Sequence, residues 1–155
     1  STFVENAILK AKSASLTTGL ASIADDSGLE VDYLNAQPGI KSARFSGLNS
    51  TNESNNLKLL KALDGVPYEK RGACYRCVIV YMRFPDDPFP IITSGSWKGY
   101  ITEKLTGTNG FGYDPLFYLP KYDKTSAEIS SSLKNNISHR SIALKKLQDY
   151  FNKKE

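Results

Sequence analysis

Two acidic residues stand side by side in Asp25-Asp26-Ser27-Gly28, directly after the short predicted strand 21–24. Carboxylates at a strand end, before a glycine that frees the backbone, suit a hard cation with oxygen ligands. Neighbouring side chains of an extended chain point to opposite faces, so one of the two carboxylates is expected to face a ligand. The competing reading is a turn in which aspartate caps backbone amides. A second cluster runs from Thr106 to Pro115 through Gly107, Thr108, Asn109, Gly110, Phe111, Gly112, Tyr113 and Asp114. Its glycines let backbone approach a ligand closely, and the aromatic between them offers a stacking face for a base. The spacing matches neither a P-loop nor a dinucleotide fingerprint, and the alternative is a flexible connection between strands. A third cluster, Ser138-His139-Arg140, opens the last predicted helix. Free backbone N–H groups and the helix dipole favour anions there, and arginine donates two hydrogen bonds to adjacent O6 and N7 acceptors of a purine. The alternative is a capped helix with solvated side chains. Lys10, Arg44 and Lys134, read singly, are solvated charges.

These clusters need elements to carry them. Thr2 and Glu5 form a T-x-x-E capping box for a helix that reaches about Leu16 and stops at Gly19, with Ile8, Ala11 and Leu16 on its inner side. A short strand over 21–24 leads into the acidic pair, and 29–34 alternates again, giving a hairpin or one bent strand. A loop over 35–49 follows, then a helix capped by Thr51 with Leu57, Leu60 and Leu63 inward. Strands at 72–84 and 90–103, joined through Pro85-Asp86-Asp87-Pro88, predict an antiparallel ribbon. The glycine-rich segment leads into a strand over 116–119, and Thr125-x-x-Glu128 predicts a capped short helix. Ser138 caps the last helix, where Ala143, Leu144, Leu147 and Phe151 keep helical spacing. Helices alternating with strands predict an α/β fold in one domain, with two lobes around a cleft.

The chain has 155 residues, 40% apolar and 23% charged, ordinary values for a soluble globular domain. It holds no run approaching the roughly 18 apolar residues of a membrane span and no secretory leader, so a cytoplasmic protein without membrane contact is expected. A net charge of +4 favours an anionic partner. The lysines are scattered, densest at Lys153-Lys154, and a nucleic-acid stripe is not expected; nucleotide phosphates satisfy the same excess. Cys74 and Cys77 form a C-x-x-C on the predicted strand 72–84. Residues three apart on a strand face opposite ways, so the thiols neither bridge nor share a metal.

Taken in order, Thr2-Phe3-Val4-Glu5-Asn6-Ala7, Ile23-Ala24-Asp25-Asp26-Ser27-Gly28-Leu29, Pro38-Gly39-Ile40, Ser42-Ala43-Arg44-Phe45-Ser46-Gly47, Gly110-Phe111-Gly112-Tyr113-Asp114-Pro115 and Ser138-His139-Arg140 resemble the inosine triphosphate pyrophosphatase family. The resemblance spans nearly the whole chain. It implies hydrolysis of non-standard purine triphosphates (ITP, dITP, XTP) to monophosphate and pyrophosphate, with Mg2+ as cofactor and a homodimer as the assembly. It further implies Asp26 as metal ligand and proton acceptor, with Ser27 beside it at the substrate. Lys10, Arg44 and Lys134 become phosphate or substrate contacts. Phe111, Gly112, Tyr113 and Asp114 become the base pocket, and His139 and Arg140 the readers of the base edge. Members of that family open with a strand and a Thr-Gly-Asn-x-x-Lys phosphate loop, so the expectation for residues 1–155 is a single domain truncated at its N-terminus. Rival readings are a non-catalytic nucleotide-binding remnant and a module for single-stranded nucleic acid, the latter marked by steeply salt-dependent affinity.

Overall fold

Thr2 accepts the Glu5 amide at 3.2 Å, and α1 (Phe3–Thr18) begins at the predicted cap. The structure, a computed structural model, describes residues 1–153; Lys154 of the expected basic tail lies outside the described residues. The inner stripe of α1 is Ala7, Ala11 and Ser15, and Leu16 is exposed, which corrects the expected stripe. Small residues let this helix lie close to a sheet, and the Ser15 hydroxyl is satisfied by the Leu20 carbonyl at 2.7 Å. The acidic pair sits inside one continuous strand, β1 (Ser22–Val31), so the bent-strand alternative holds and the hairpin does not. The loop beyond it contains short 3-10 turns at Asp32–Leu34 and Gly39–Arg44 around β2 (Gln37–Pro38).

Thr51 caps α2 (Asn52–Ala62) through a capping box completed by Ser54. Leu59 and Leu63 face the core, whereas the expected Leu57 is exposed and Asn55 and Asn56 are buried in its place. The long strands are β3 (Gly72–Met82) and β4 (Ile91–Ile101), followed by β5 (Phe117–Leu119) and β6 (Lys124–Thr125). The predicted helix at Thr125 is absent. The Glu128 carboxylate does accept the Thr125 amide, but Thr125 pairs as the end of β6 and its hydroxyl donates to the Thr106 carbonyl. The helix forms later, as α3 (Ser131–Ile137), and Ser138 then caps α4 (His139–Asn152). Strand order is β2-β1-β3-β4-β5-β6, with antiparallel pairing at β1/β2, β4/β5 and β5/β6. No described helix is long and apolar enough to cross a membrane.

The chain divides into two compact units. The first takes Ser1–Ser27, Arg76–Ser96 and the chain from Ser138 onward. Here Ala7 and Ala11 of α1 pack on Val78, Val80 and Met82 of β3, while Ala143 and Leu147 of α4 pack on Cys77 and Ile79. The alternation along β3 puts the two helices on opposite faces, which is why residues 77–80 are apolar without a break. Gly95 on β4 permits a close approach, since a Cβ there would overlap the His139 carbonyl oxygen and press on the Ala143 amide. The start of α4 is therefore fixed against the sheet.

The second unit takes Gly28–Tyr75 and Trp97–Ile137. Its core joins Leu29, Leu59, Leu63, Tyr75, Trp97 and Phe117, with the Phe117 ring 4.6 Å from Tyr75 and 5.2 Å from Trp97. Buried Arg71 gives its guanidinium hydrogens to the carbonyls of Leu63, Val66, Ile101 and Thr102, tying the end of α2 to the strand ends. Cys74 and Cys77 are buried thiols outside any disulfide, and burial raises the Cys77 thiol above its usual range, keeping it neutral.

Candidate active site

Because Asp25 and Asp26 are neighbours on an extended strand, their side chains leave it in opposite senses. Asp26 meets α1. Its Oδ1 accepts from Lys10 Nζ at 2.7 Å and its Oδ2 from Asn6 Nδ2 at 3.1 Å. Lys10 also donates to the Asp25 carbonyl at 3.0 Å. Asn6 and Lys10 are four apart on one helix, which aligns them on one face. Asp25 instead meets α4: its Oδ2 accepts from Arg140 Nη2 at 3.0 Å, from Nε at 3.2 Å and from the Ser27 hydroxyl at 3.1 Å. Two carboxylates, a lysine, an arginine, an asparagine and a serine thus gather in the first unit. Both cations keep about half their side-chain surface exposed, 55% for Lys10 and 51% for Arg140. Such a group exchanges one anionic partner for another at little cost, which suits an anionic substrate. His139 is buried at the first position of α4.

Asp114 organises a second constellation, in the second unit. Its side chain is 3% exposed and takes an ion pair from Lys134, a hydrogen bond from the Ser126 hydroxyl at 2.5 Å and one from the Phe111 amide at 2.9 Å. The Tyr75 hydroxyl stands 3.5 Å away, and burial beside this carboxylate pushes the Tyr75 phenol well above its usual range. Gly110 takes a positive φ of 74° here, and a Cβ on it would overlap the Asp114 carboxylate. The turn closes only with glycine there. Phe111 is an exposed residue, at 61%, with Lys134 Nζ 4.9 Å from its ring centroid.

The expected residues thus divide by role. Lys10, Asp26, Ser27 and Arg140 assemble in the first unit; Phe111, Asp114 and Lys134 assemble in the second. Tyr113 is a core residue whose hydroxyl donates to the Ser42 carbonyl at 2.7 Å. Gly112 offers its carbonyl to Asn56 Nδ2 at 2.8 Å. Arg44 ends a 3-10 turn in an exposed position. Sequence reasoning missed Asn6, which the i, i+4 spacing to Lys10 could have found. It also missed Asp25 as the partner of Arg140, and Tyr75, Ser126 and Asn56 as supports of the loop; no local pattern marks those. Asn56 is 96% buried, and its Oδ1 has no hydrogen-bond partner among the described residues.

Comparison with known proteins adds an independent line. The model of the Ham1 family matches residues 1–150. The dITP/XTP pyrophosphatase of Salmonella typhi is 55% identical over 148 residues, which cover 96% of this chain and 75% of that protein. The dITP/XTP pyrophosphatase of Escherichia coli O157:H7 is 53% identical with the same coverage. Among solved structures, a HAM1 protein from Coxiella burnetii matches with a TM-score of 0.94 and 46% identity, over 99% of this chain and 78% of that one. The Ham1 protein of Staphylococcus aureus gives 0.92 and 45%, over 100% and 79%.

Proposed function

The chain belongs to the Ham1 family, and from that premise we infer that it hydrolyses non-standard purine nucleoside triphosphates to the monophosphate and pyrophosphate. The observation that carries the reading is the contact of Asp26 with Lys10 and Asn6 at 2.7 and 3.1 Å, beside a strand whose next carboxylate holds Arg140. This is an exposed charge cluster with one carboxylate ready to accept a proton and cations ready to take phosphate.

Water attacks the α-phosphorus, the bond from that phosphorus to the bridging oxygen breaks, and pyrophosphate leaves. Asp26 takes the proton released by the water. Lys10 neutralises charge that builds on the phosphate oxygens, a stabilisation strongest where the charge develops. Arg44 and Lys134 are proposed as further substrate cations, with Ser27 at the substrate beside Asp26. His139 and Arg140 are proposed to read the base edge. Phe111 supplies a stacking face, supported by its exposure, while Gly112, Tyr113 and Asp114 shape the turn that presents it. Hypoxanthine and xanthine offer O6 and N7 acceptors to an arginine, whereas adenine offers an amino donor at that edge. Arg140 therefore discriminates against ATP; it does not separate ITP from GTP, which shares O6.

Magnesium is the proposed cofactor. No group of three or more His, Cys, Asp or Glu side chains that could hold a metal occurs among the described residues. A site with one carboxylate, Asp26, still fits this ion, because magnesium keeps several waters and completes its shell with substrate phosphates. When bound it screens the triphosphate charge and lowers the pKa of coordinated water. We further propose a cytoplasmic location and a homodimeric assembly, the latter checked by light scattering of the purified protein.

The test is pyrophosphate release from ITP, XTP, ATP and GTP with magnesium, for the chain and for Asp26→Asn. Selective turnover of ITP and XTP, stopped by Asp26→Asn and by chelation, is the expected result. Binding of ITP with no pyrophosphate released, also in a chain extended to the length of its relatives, would instead establish the non-catalytic remnant.

A further inference from the structure

Arg140 is rooted firmly and held loosely. Its backbone lies in the first turn of α4, which Ser138 caps by accepting the Ser141 amide at 3.3 Å and which abuts Gly95 through the His139 carbonyl. The side chain beyond that root is half-exposed and carries several rotatable bonds. Asp25 holds it, through a single oxygen that receives both Nε and Nη2. The Ser27 hydroxyl donates to the same oxygen and steadies the carboxylate.

A guanidinium has two forked edges, one made by Nε and Nη2 and the other by Nη1 and Nη2. Asp25 occupies the first. The end-on fork is outside that contact, and its parallel N–H pair is the one that matches adjacent O6 and N7 acceptors. We propose that Asp25 is a positioning residue for Arg140, fixing the guanidinium so that its end-on fork is the edge presented to the purine. The proposal rests on the hydrolase reading above and gives the tandem carboxylates separate tasks. Asp26 faces α1 and the phosphate chemistry, while Asp25 faces α4 and base selection. Since the Lys10 and Asn6 side chains contact Asp26, removing the Asp25 carboxylate leaves those bonds in place.

The test compares Asp25→Ala, Asp25→Asn and Asp25→Glu, each with and without Arg140→Ala, by kcat and KM for ITP and ATP. A half-exposed ion pair orders its arginine modestly. Asp25→Ala is therefore expected to narrow the ITP-over-ATP ratio of kcat/KM about fivefold, with KM for ITP rising more than kcat falls. Asp25→Glu recovers part of the ratio, and with Arg140→Ala present Asp25→Ala narrows it no further. A large loss of kcat with the ratio intact would overturn the proposal, as would equal narrowing in the Arg140→Ala background. The contact itself is read without turnover, from solvent exchange of the Arg140 Nε–H proton by NMR. Slow exchange in the parent and fast exchange in Asp25→Ala is expected; fast exchange in both overturns the positioning role. If the parent turned over no purine triphosphate, the hydrolase reading would fall, while this resonance would still decide whether Asp25 orders Arg140.

Discussion

The two charged constellations are built by opposite means. In the first unit, Asp25 and Asp26 ride on a strand and meet side chains from α1 and α4, so regular elements already fix every backbone position. The cations of these contacts remain half-open to water, at 55% for Lys10 and 51% for Arg140. In the second unit the Thr106–Pro115 segment lacks helix or strand, and a buried carboxylate does what secondary structure does elsewhere. Asp114 gathers an ammonium, two hydroxyls and a backbone amide about itself at 3% exposure. Where a scaffold supplies rigidity, polar groups stay available for a substrate; where a loop must be rigid, they are consumed in making it so. Substitutions in the first constellation should therefore cost activity without stability, and in the second stability first.

The sharpest way to break that contrast is Asp26→Asn. Losing the proton acceptor and the charge should lower kcat about a thousandfold or more, an effect of the size seen when one electrostatic catalytic group is removed. The midpoint of thermal unfolding should move by no more than about 3 °C, because a partly exposed pair contributes about 0–1 kcal/mol. A large drop in the unfolding midpoint would show that the first constellation is structural as well.

Asp114→Ala is the counterpart. It strands the mostly buried Lys134 ammonium and the Ser126 and Tyr75 hydroxyls, so unfolding in urea should reveal a loss of about 3–5 kcal/mol. If instead stability held and KM alone rose, Asp114 would be a ligand group and the loop rigid for other reasons. Gly95→Ala tests the scaffold of the first unit. The added methyl has no room against His139 and Ala143, so α4 must shift, at about 1–3 kcal/mol. A shifted α4 carries Arg140 with it, and KM for ITP should rise alongside.

The same contrast explains what could be read from the sequence. Helix starts were legible because caps are local chemistry: Thr2, Thr51 and Ser138 each bond an amide three residues on. The β3/β4 ribbon was legible from its paired lengths. The continuity of β1 through Ser27-Gly28 was not, since a polar pair before glycine looks like a turn until neighbouring strands hold it extended. Leu16 and Leu57 failed as inner residues because Ser15, Asn55 and Asn56 take buried positions by bonding backbone carbonyls. Motif strings located both constellations. The pairings within them, Arg140 with Asp25 across 115 residues and Lys134 with Asp114 across 20, depend on tertiary packing and leave no periodic trace.

The smallest effect comes from a carboxylate of the first unit that takes no part in the chemistry. Asp87, at the turn between β3 and β4, accepts the Arg83 guanidinium through Nε at 2.8 Å and Nη2 at 2.5 Å, and the Arg83 and Phe89 amides at 3.0 Å each. The Arg83 hydrogen bond holds its pKa well below the usual carboxylate range. A depressed folded pKa means the unfolded chain binds its proton first as pH falls. The stabilisation is thus complete above about pH 4 and is lost as pH drops toward the folded value. Asp87→Asn should lower the unfolding midpoint at pH 7 and flatten its decline below pH 4, with ITP turnover at pH 7 retained. A change comparable to that of Asp114→Ala would blunt the contrast, because a turn carboxylate of the first unit would then stabilise as strongly as the one that orders the loop of the second.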